Sequence, residues 1–146
     1  MSTKRVAAAD DVRAASDQFY SALDAMVNGD ASSMAAIWSH DDDVTTMHPI
    51  GGREAGWEAV NGSFAGVASA SADGTVTRSD QVIRVVGDCA YELCTESALW
   101  TFAGEPISLE HRATNVYRKE NGEWKVVHHH ADLNAEFAEQ VANMGA

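Results

Sequence analysis

The stretch from Thr75 to Ala131, TVTRSDQVIRVVGDCAYELCTESALWTFAGEPISLEHRATNVYRKENGEWKVVHHHA, decides the fold. It holds four long runs rich in β-branched and aromatic residues, Thr75–Val86, Ala90–Phe102, Ile107–Lys119 and Trp124–Ala131, and such runs read as strands. Gly87-Asp88, Ala103-Gly104 and Asn121-Gly122 lie between them and suit two-residue hairpin turns. Strands joined by consecutive hairpins predict an antiparallel sheet.

Upstream of this stretch the hydrophobic period changes. From Asp11 to Val27, Val12, Ala15, Phe19, Ala22, Leu23 and Met26 recur at spacings of three and four, one stripe of a helix. Asn28-Gly29-Asp30 should end it, with Gly29 in the left-handed cap and Asp30 accepting amide hydrogens of the next turn. A second, shorter helix is expected over Ala31–Trp38, a short strand over Val44–Met47 that Pro49 and Gly51-Gly52 terminate, and a third helix over Glu54–Ala68. Helices first and hairpins afterwards give an α+β fold. Long strands twist and coil, so the expected shape is a cone: a strongly curved antiparallel sheet wrapped around about three N-terminal helices, with an internal pocket. The tail, residues 133–146, reads as a frayed helix or a mobile end.

With 146 residues the chain makes one domain, and its core is expected over about residues 11–132. Ten Lys+Arg against 22 Asp+Glu give a formal charge of −12. That charge repels phosphate backbones and anionic lipid, so neither nucleic acid nor membrane is an expected partner. Lys4 and Arg5 precede no apolar segment of signal-peptide type, and no run of roughly 18 apolar residues follows, so the cytoplasm is the expected compartment. Cys89 and Cys94 stand five apart in one strand, on opposite faces, and should not bond to each other. No metal is assigned, although His128, His130 and Asp132 share one strand face.

The order helix, short helix, Val44-Thr45-Thr46-Met47-His48-Pro49-Ile50-Gly51, helix, then four strands ending in Trp124-Lys125-Val126-Val127-His128-His129-His130 resembles the nuclear transport factor 2-like superfamily, and within it the SnoaL-like and ketosteroid-isomerase-like branch. The resemblance covers roughly Asp11–Asp132. It implies a homodimer packed through the convex sheet face and a pocket for a small, mostly apolar organic molecule. In ketosteroid isomerases an aspartate base precedes the Pro-x-Gly segment; here His48 occupies that slot, which implies an imidazole as the base. Their oxyanion donors, a tyrosine and a protonated aspartate, correspond here to Phe19, with Tyr20 beside it, and Asn115. A strict steroid isomerase is therefore not expected, and no cofactor is required.

The expected site thus has His48 and Asn115 as catalytic groups. Strand alternation carries His111 and Tyr117 to the same concave face as Asn115, and His129 inward from the final strand. Phe19, Tyr20, Trp38, Trp57, Phe64 and Tyr91 are expected pocket walls. On the convex face the same alternation, aligned through Asn115, expects Trp100, Val116 and Val126, and pairs Arg112 and Arg118 with Glu92 and Glu96. Fold does not select among isomerase, dehydratase, hydrolase and non-catalytic ligand-binding or accessory roles.

Overall fold

The computed structural model describes residues 3–144. Three helices precede the long strands: α1 (Thr3–Met26), α2 (Met34–Ile37) and α3 (Trp57–Ser69). A hairpin, β1 (Thr45–His48) and β2 (Gly51–Ala55), is inserted before α3. The long strands β3 (Ser71–Val86), β4 (Cys89–Phe102), β5 (Glu105–Glu120) and β6 (Glu123–Ala131) follow, and α4 (Ala135–Met144) closes the described chain. One curved, unclosed six-stranded sheet results, in the order β2-β1-β6-β5-β4-β3, with β1 parallel to β6 and every other neighbour antiparallel.

The turns behave as their residues dictate. Ala103-Gly104 and Asn121-Gly122 both take positive φ at both positions, the geometry whose twist matches that of the flanking strands. Gly29 has φ +97°, and Asp30 Oδ1 accepts the Ser32 amide at 2.9 Å. Two register shifts in β3, at Ala72/Thr75 and Ser79/Val82, mark bulges where Asp73 and Asp80 adopt positive φ. Bulges raise local twist and bend the strand over the helices.

Several element boundaries differ from expectation. Helix α1 begins eight residues early, because Val6-Ala7-Ala8-Ala9 extends a favourable helical run. Helix α2 is only four residues long. The Gly51-Gly52 segment does not simply end β1; it turns back as β2, an edge strand with little β propensity that forms through its pairing with Thr45 and Thr46. The tail is ordered as α4 through Met144, while residues 145 and 146 lie outside the described residues. Asn134 caps α4 by accepting the Phe137 amide at 2.9 Å and ties it to the site by donating its own amide to Pro49 O at 2.9 Å. Phe137 is thereby buried against Trp100 and Phe102.

Strand phase holds for β5: Ala113, Asn115 and Tyr117 are buried on the inner face. It does not hold for the expected outer set. On β4 it is Ala90, Glu92, Cys94, Glu96 and Trp100 that are buried, so Glu92, Glu96 and Trp100 face inward. On β6 a register shift at Val116/Tyr117 leaves Val127 as an extra residue and reverses the phase, so Trp124 and Val126 are buried together with His129 and Ala131. The expected arginine pairs are replaced accordingly. Arg112 binds Asp132, and Arg118 binds Asp41, Asp43 and Glu120. Cys89 is exposed and Cys94 buried, both as free thiols.

Candidate functional site

Between the sheet and helices α1 and α3 lies a cavity of about 90 Å³. Its wall is largely hydrocarbon, from Leu23, Val27, Phe64, Trp100, Leu109 and Phe137 among others. The ionisable groups on it are His48, Glu96, His111 and His129. The sheet register explains this grouping: Glu96 pairs across the strands with His111, Asn115 with His129, and β1 lies alongside β6 and delivers His48 at its end.

His48 stands edge-on to Phe64, 5.3 Å between ring centroids, and 6.2 Å from the His129 ring. Its Nε2 lies 3.0 Å from Ser63 Oγ, and Ser63 donates its hydroxyl hydrogen to Val60 O at 2.9 Å. Ser63 therefore accepts, His48 carries its hydrogen on Nε2, and the Nδ1 lone pair is left available as a base. Burial pushes the His48 pKa down, against the opposing pull of the Glu54 and Glu96 carboxylates. The ring is thus neutral at neutral pH.

Behind the cavity lies a connected polar cluster. Glu92, fully buried, accepts hydrogen bonds from Ser16, Gln81, Asn115 and Tyr117, and the Arg78 guanidinium lies 3.8 Å away. A buried carboxylate is tolerated only with its lone pairs satisfied in this way. Asn115 donates to Glu92 and to the Tyr20 hydroxyl, and its carbonyl accepts from His129 Nδ1 at 2.6 Å. Tyr20 donates to Glu96 Oε2 at 2.6 Å, and His111 donates from Nε2 to Glu96 Oε1 at 2.8 Å. Burial pushes Glu96 up, but His129 nearby and the hydrogen bonds from His111 and Tyr20 outweigh it and hold the carboxyl below its usual range. Burial drives His129 down to about 4, so it is a neutral imidazole at neutral pH. Desolvation and the Glu96 charge push the Tyr20 phenol far up, keeping its hydrogen in place.

Of the residues singled out from the sequence, His48, Phe64, His111 and His129 meet on the cavity wall. Asn115 is buried but absent from that wall, its amide engaged by Tyr20, Glu92 and His129, whose ring it orients. Tyr20 does turn inward, into the same network. Phe19 and Trp38 are core: Phe19 packs edge-on to both Trp38 and His129, and Trp38 leans on Phe64. Tyr117 is likewise buried, its hydroxyl spent on Glu92. Trp57 is no cavity wall; it stacks on His40 with ring centroids 4.5 Å apart. Tyr91 is 42% exposed, on the outer face, because β4 has the opposite phase to that expected. Among the described residues no group of three or more His, Cys, Asp and Glu is arranged to hold a metal ion.

Sequence reasoning missed Glu96, Trp100, Ser63 and Phe137. The signal for Glu96 and Trp100 was their shared phase with the small residues Ala90, Cys94 and Ala98, which fit beneath helices. Ser63, one turn of α3 before Val67 and beside Phe64, carried no signal for a tautomer lock.

Comparison with known proteins agrees with this architecture. Residues 12–135 match the SnoaL-like domain. No curated protein matches the chain. Among solved structures, a Streptomyces avermitilis protein described provisionally as a dehydratase of the nuclear transport factor 2-like family is 26% identical, with a TM-score of 0.78 over 88% of this chain and 96% of that one. A Thiobacillus denitrificans protein described provisionally as a calcium/calmodulin-dependent protein kinase type II association domain is 29% identical, TM-score 0.64, over 84% and 94%. A nuclear transport factor 2-like superfamily protein from Salmonella enterica shares the fold at 17% identity, TM-score 0.76, over 86% and 90%. A curved sheet over helices, a hydrocarbon cavity with a polar cluster, and a family match spanning nearly the whole chain together place it: the chain belongs to the SnoaL-like domain family of the nuclear transport factor 2-like superfamily.

Proposed function

We propose that the cavity binds a small, mostly apolar organic molecule and that His48 acts on it as a general base. The supporting observation is the Val60–Ser63–His48 relay, which fixes the imidazole hydrogen on Nε2 and leaves a lone pair on a neutral ring in the cavity wall. Glu96 and His129 then supply the polar surroundings into which an abstracted proton or a water is directed. Asn115 and Tyr20 have their hydrogens engaged elsewhere, so His48 performs proton transfer of isomerase, dehydratase or hydrolase type without the enolate donors of a strict steroid isomerase. No cofactor enters this scheme.

The test is deuterium exchange. Small alicyclic and aromatic compounds carrying a C–H acidified by a neighbouring electron-withdrawing group are incubated with the protein in D2O and followed by NMR for C–H exchange and for conversion. The rate is expected to rise with pH through a midpoint below 6.5, the side to which burial moves His48, and then level off, because only the neutral ring accepts a proton. His48→Ala is expected to lower it about 10²–10⁴-fold with binding retained. An unchanged rate in that variant removes His48 as the base. A compound that binds and is neither exchanged nor converted favours the non-catalytic accessory role, which the committed hydrogens of Asn115 and Tyr20 also fit.

We also infer that the outer sheet face pairs with a second copy. Tyr91, Leu93 and Leu99 stand exposed on it, next to the half-buried Val82 and Val116. Apolar side chains in such a cluster are unfavourable in water.

A further inference from the structure

Four side-chain hydrogens around the cavity's ionisable groups are already committed. Tyr20 and His111 each give one to Glu96, His129 gives its Nδ1 hydrogen to Asn115, and His48 gives its Nε2 hydrogen to Ser63. Two further nitrogens of wall residues, the donor Trp100 Nε1 and His111 Nδ1, have no hydrogen-bond partner, but both atoms are buried and present no surface to a molecule in the cavity. The lone pairs left on these wall residues are those of His48 Nδ1, His129 Nε2 and the remaining ones of the Glu96 carboxylate. Two of these acceptors, His129 Nε2 and Glu96 Oε2, lie 3.9 Å apart. That is too long for a direct hydrogen bond.

We propose that this site selects ligands by a hydrogen-bond-donating head group, a hydroxyl or a protonated amine on an apolar body, and rejects isosteric ketones and carboxylates. The inference rests on the cavity being a ligand site, as argued above. A donor placed near His129 Nε2 and Glu96 Oε2 pairs with the free imidazole lone pair and adds to the one hydrogen bond that Glu96 Oε2 accepts from Tyr20, whereas a carbonyl or carboxylate oxygen adds a further acceptor beside them. Unpaired buried acceptors are costly, so discrimination by this means is strong for its size. The hydrocarbon wall contributes alike to every member of a series that shares one skeleton, which isolates the head group.

The experiment uses cyclopentanol, cyclopentylamine, cyclopentanone and cyclopentanecarboxylate at pH 7.5, titrated into the full chain and read as shifts of amide resonances of cavity residues such as Phe64 and Ala98. The alcohol, the ammonium or both are expected to bind at least tenfold more tightly than the ketone, with the carboxylate weakest. Whichever of the two leads identifies a neutral or a cationic head. Glu96→Gln, which removes the charge and introduces an N–H, is expected to shrink the gap between donor and ketone at least threefold. Should that variant not fold, Ser63→Ala releases the His48 Nε2 hydrogen, and the ketone is expected to gain on the alcohol. A ketone or carboxylate that binds as tightly as the alcohol and the amine overturns the donor rule and leaves the cavity as a ligand site. If no member of the series moves any cavity resonance, the ligand-site reading itself fails and the donor rule falls with it.

Discussion

His129 shows how far the interior governs one side chain. Its ring hydrogen is fixed by Asn115, which is itself fixed by Glu92 and Tyr20, so three layers of residues determine one tautomer. Burial holds the folded-state pKa at about 4, against roughly 6.5 in an unfolded chain. Between those values the unfolded chain takes up a proton that the folded one refuses, so stability is fully present above about pH 6.5 and is lost as pH falls toward 4. The loss from this group is roughly 3 kcal/mol. His48 and Glu96, both shifted downward, add to it in the same direction. Urea unfolding at pH 7.5, 6, 5 and 4.5 is expected to show a steadily falling midpoint, with a shallower fall in His129→Gln; a fall equally steep in that variant contradicts the assignment. The residue scale is also where the sequence was most informative about identity and least about role. His48, His111 and His129 were legible as cavity residues, but Asn115 turned out to be a support, because no sequence pattern tells a free amide from one whose hydrogens are already committed.

Among the elements, β3 and β4 decide how closely the sheet approaches α1. At the Asp73-Gly74 bulge the backbone runs so near the helix end that a Cβ on Gly74 would lie 2.4 Å from Trp100 Cβ and 2.7 Å from Val27 Cγ2. Asn28 holds this approach by bonding both the amide and the carbonyl of Gly74. Since Trp100 Cβ cannot retreat without its strand, Gly74→Ala is expected to cost about 2–3 kcal/mol by urea unfolding, the upper part of the range for overpacking; a change under about 0.5 kcal/mol would mean the bulge relaxes freely. The four long strands and their hairpins were legible because propensity and turn chemistry agree there. The facing of β4 was not. Its outward residues Tyr91, Leu93 and Leu99 are more apolar than its inward Glu92 and Glu96, so hydrophobicity alone selects the wrong side. Hairpin β1–β2 was half legible, since Gly51-Gly52-Arg53-Glu54 has no strand signal and forms through pairing.

For the molecule as a whole, polar groups are gathered inside one end of the cavity while an apolar patch stands on the outer sheet face. In the reading proposed above, the inner arrangement serves ligand binding and the outer serves assembly. If the outer face joins two copies, Leu93→Glu places a charge in the middle of the patch and is expected to halve the mass measured by light scattering while leaving cavity binding intact. An unchanged mass would place the contact elsewhere. No helix among the described residues is long and apolar enough to cross a membrane. The order of the first three helices and the four long strands was readable; β2 and the contribution of α4 were not, the latter because the residues that bury Phe137, Trp100 and Phe102, are distant in sequence.

The extra residue in β6 has one more effect. His128, His129 and His130 are consecutive, so sliding that strand by a single position would still present an imidazole to Asn115, and the trio cannot by itself choose the alignment. Trp124 and Val126 before the kink, and Ala131 after it, make the choice, since each fits only where a neighbour leaves room of its size. Straightening the kink with every residue kept would turn His128 and His130 inward and His129 outward without altering the composition of the triplet.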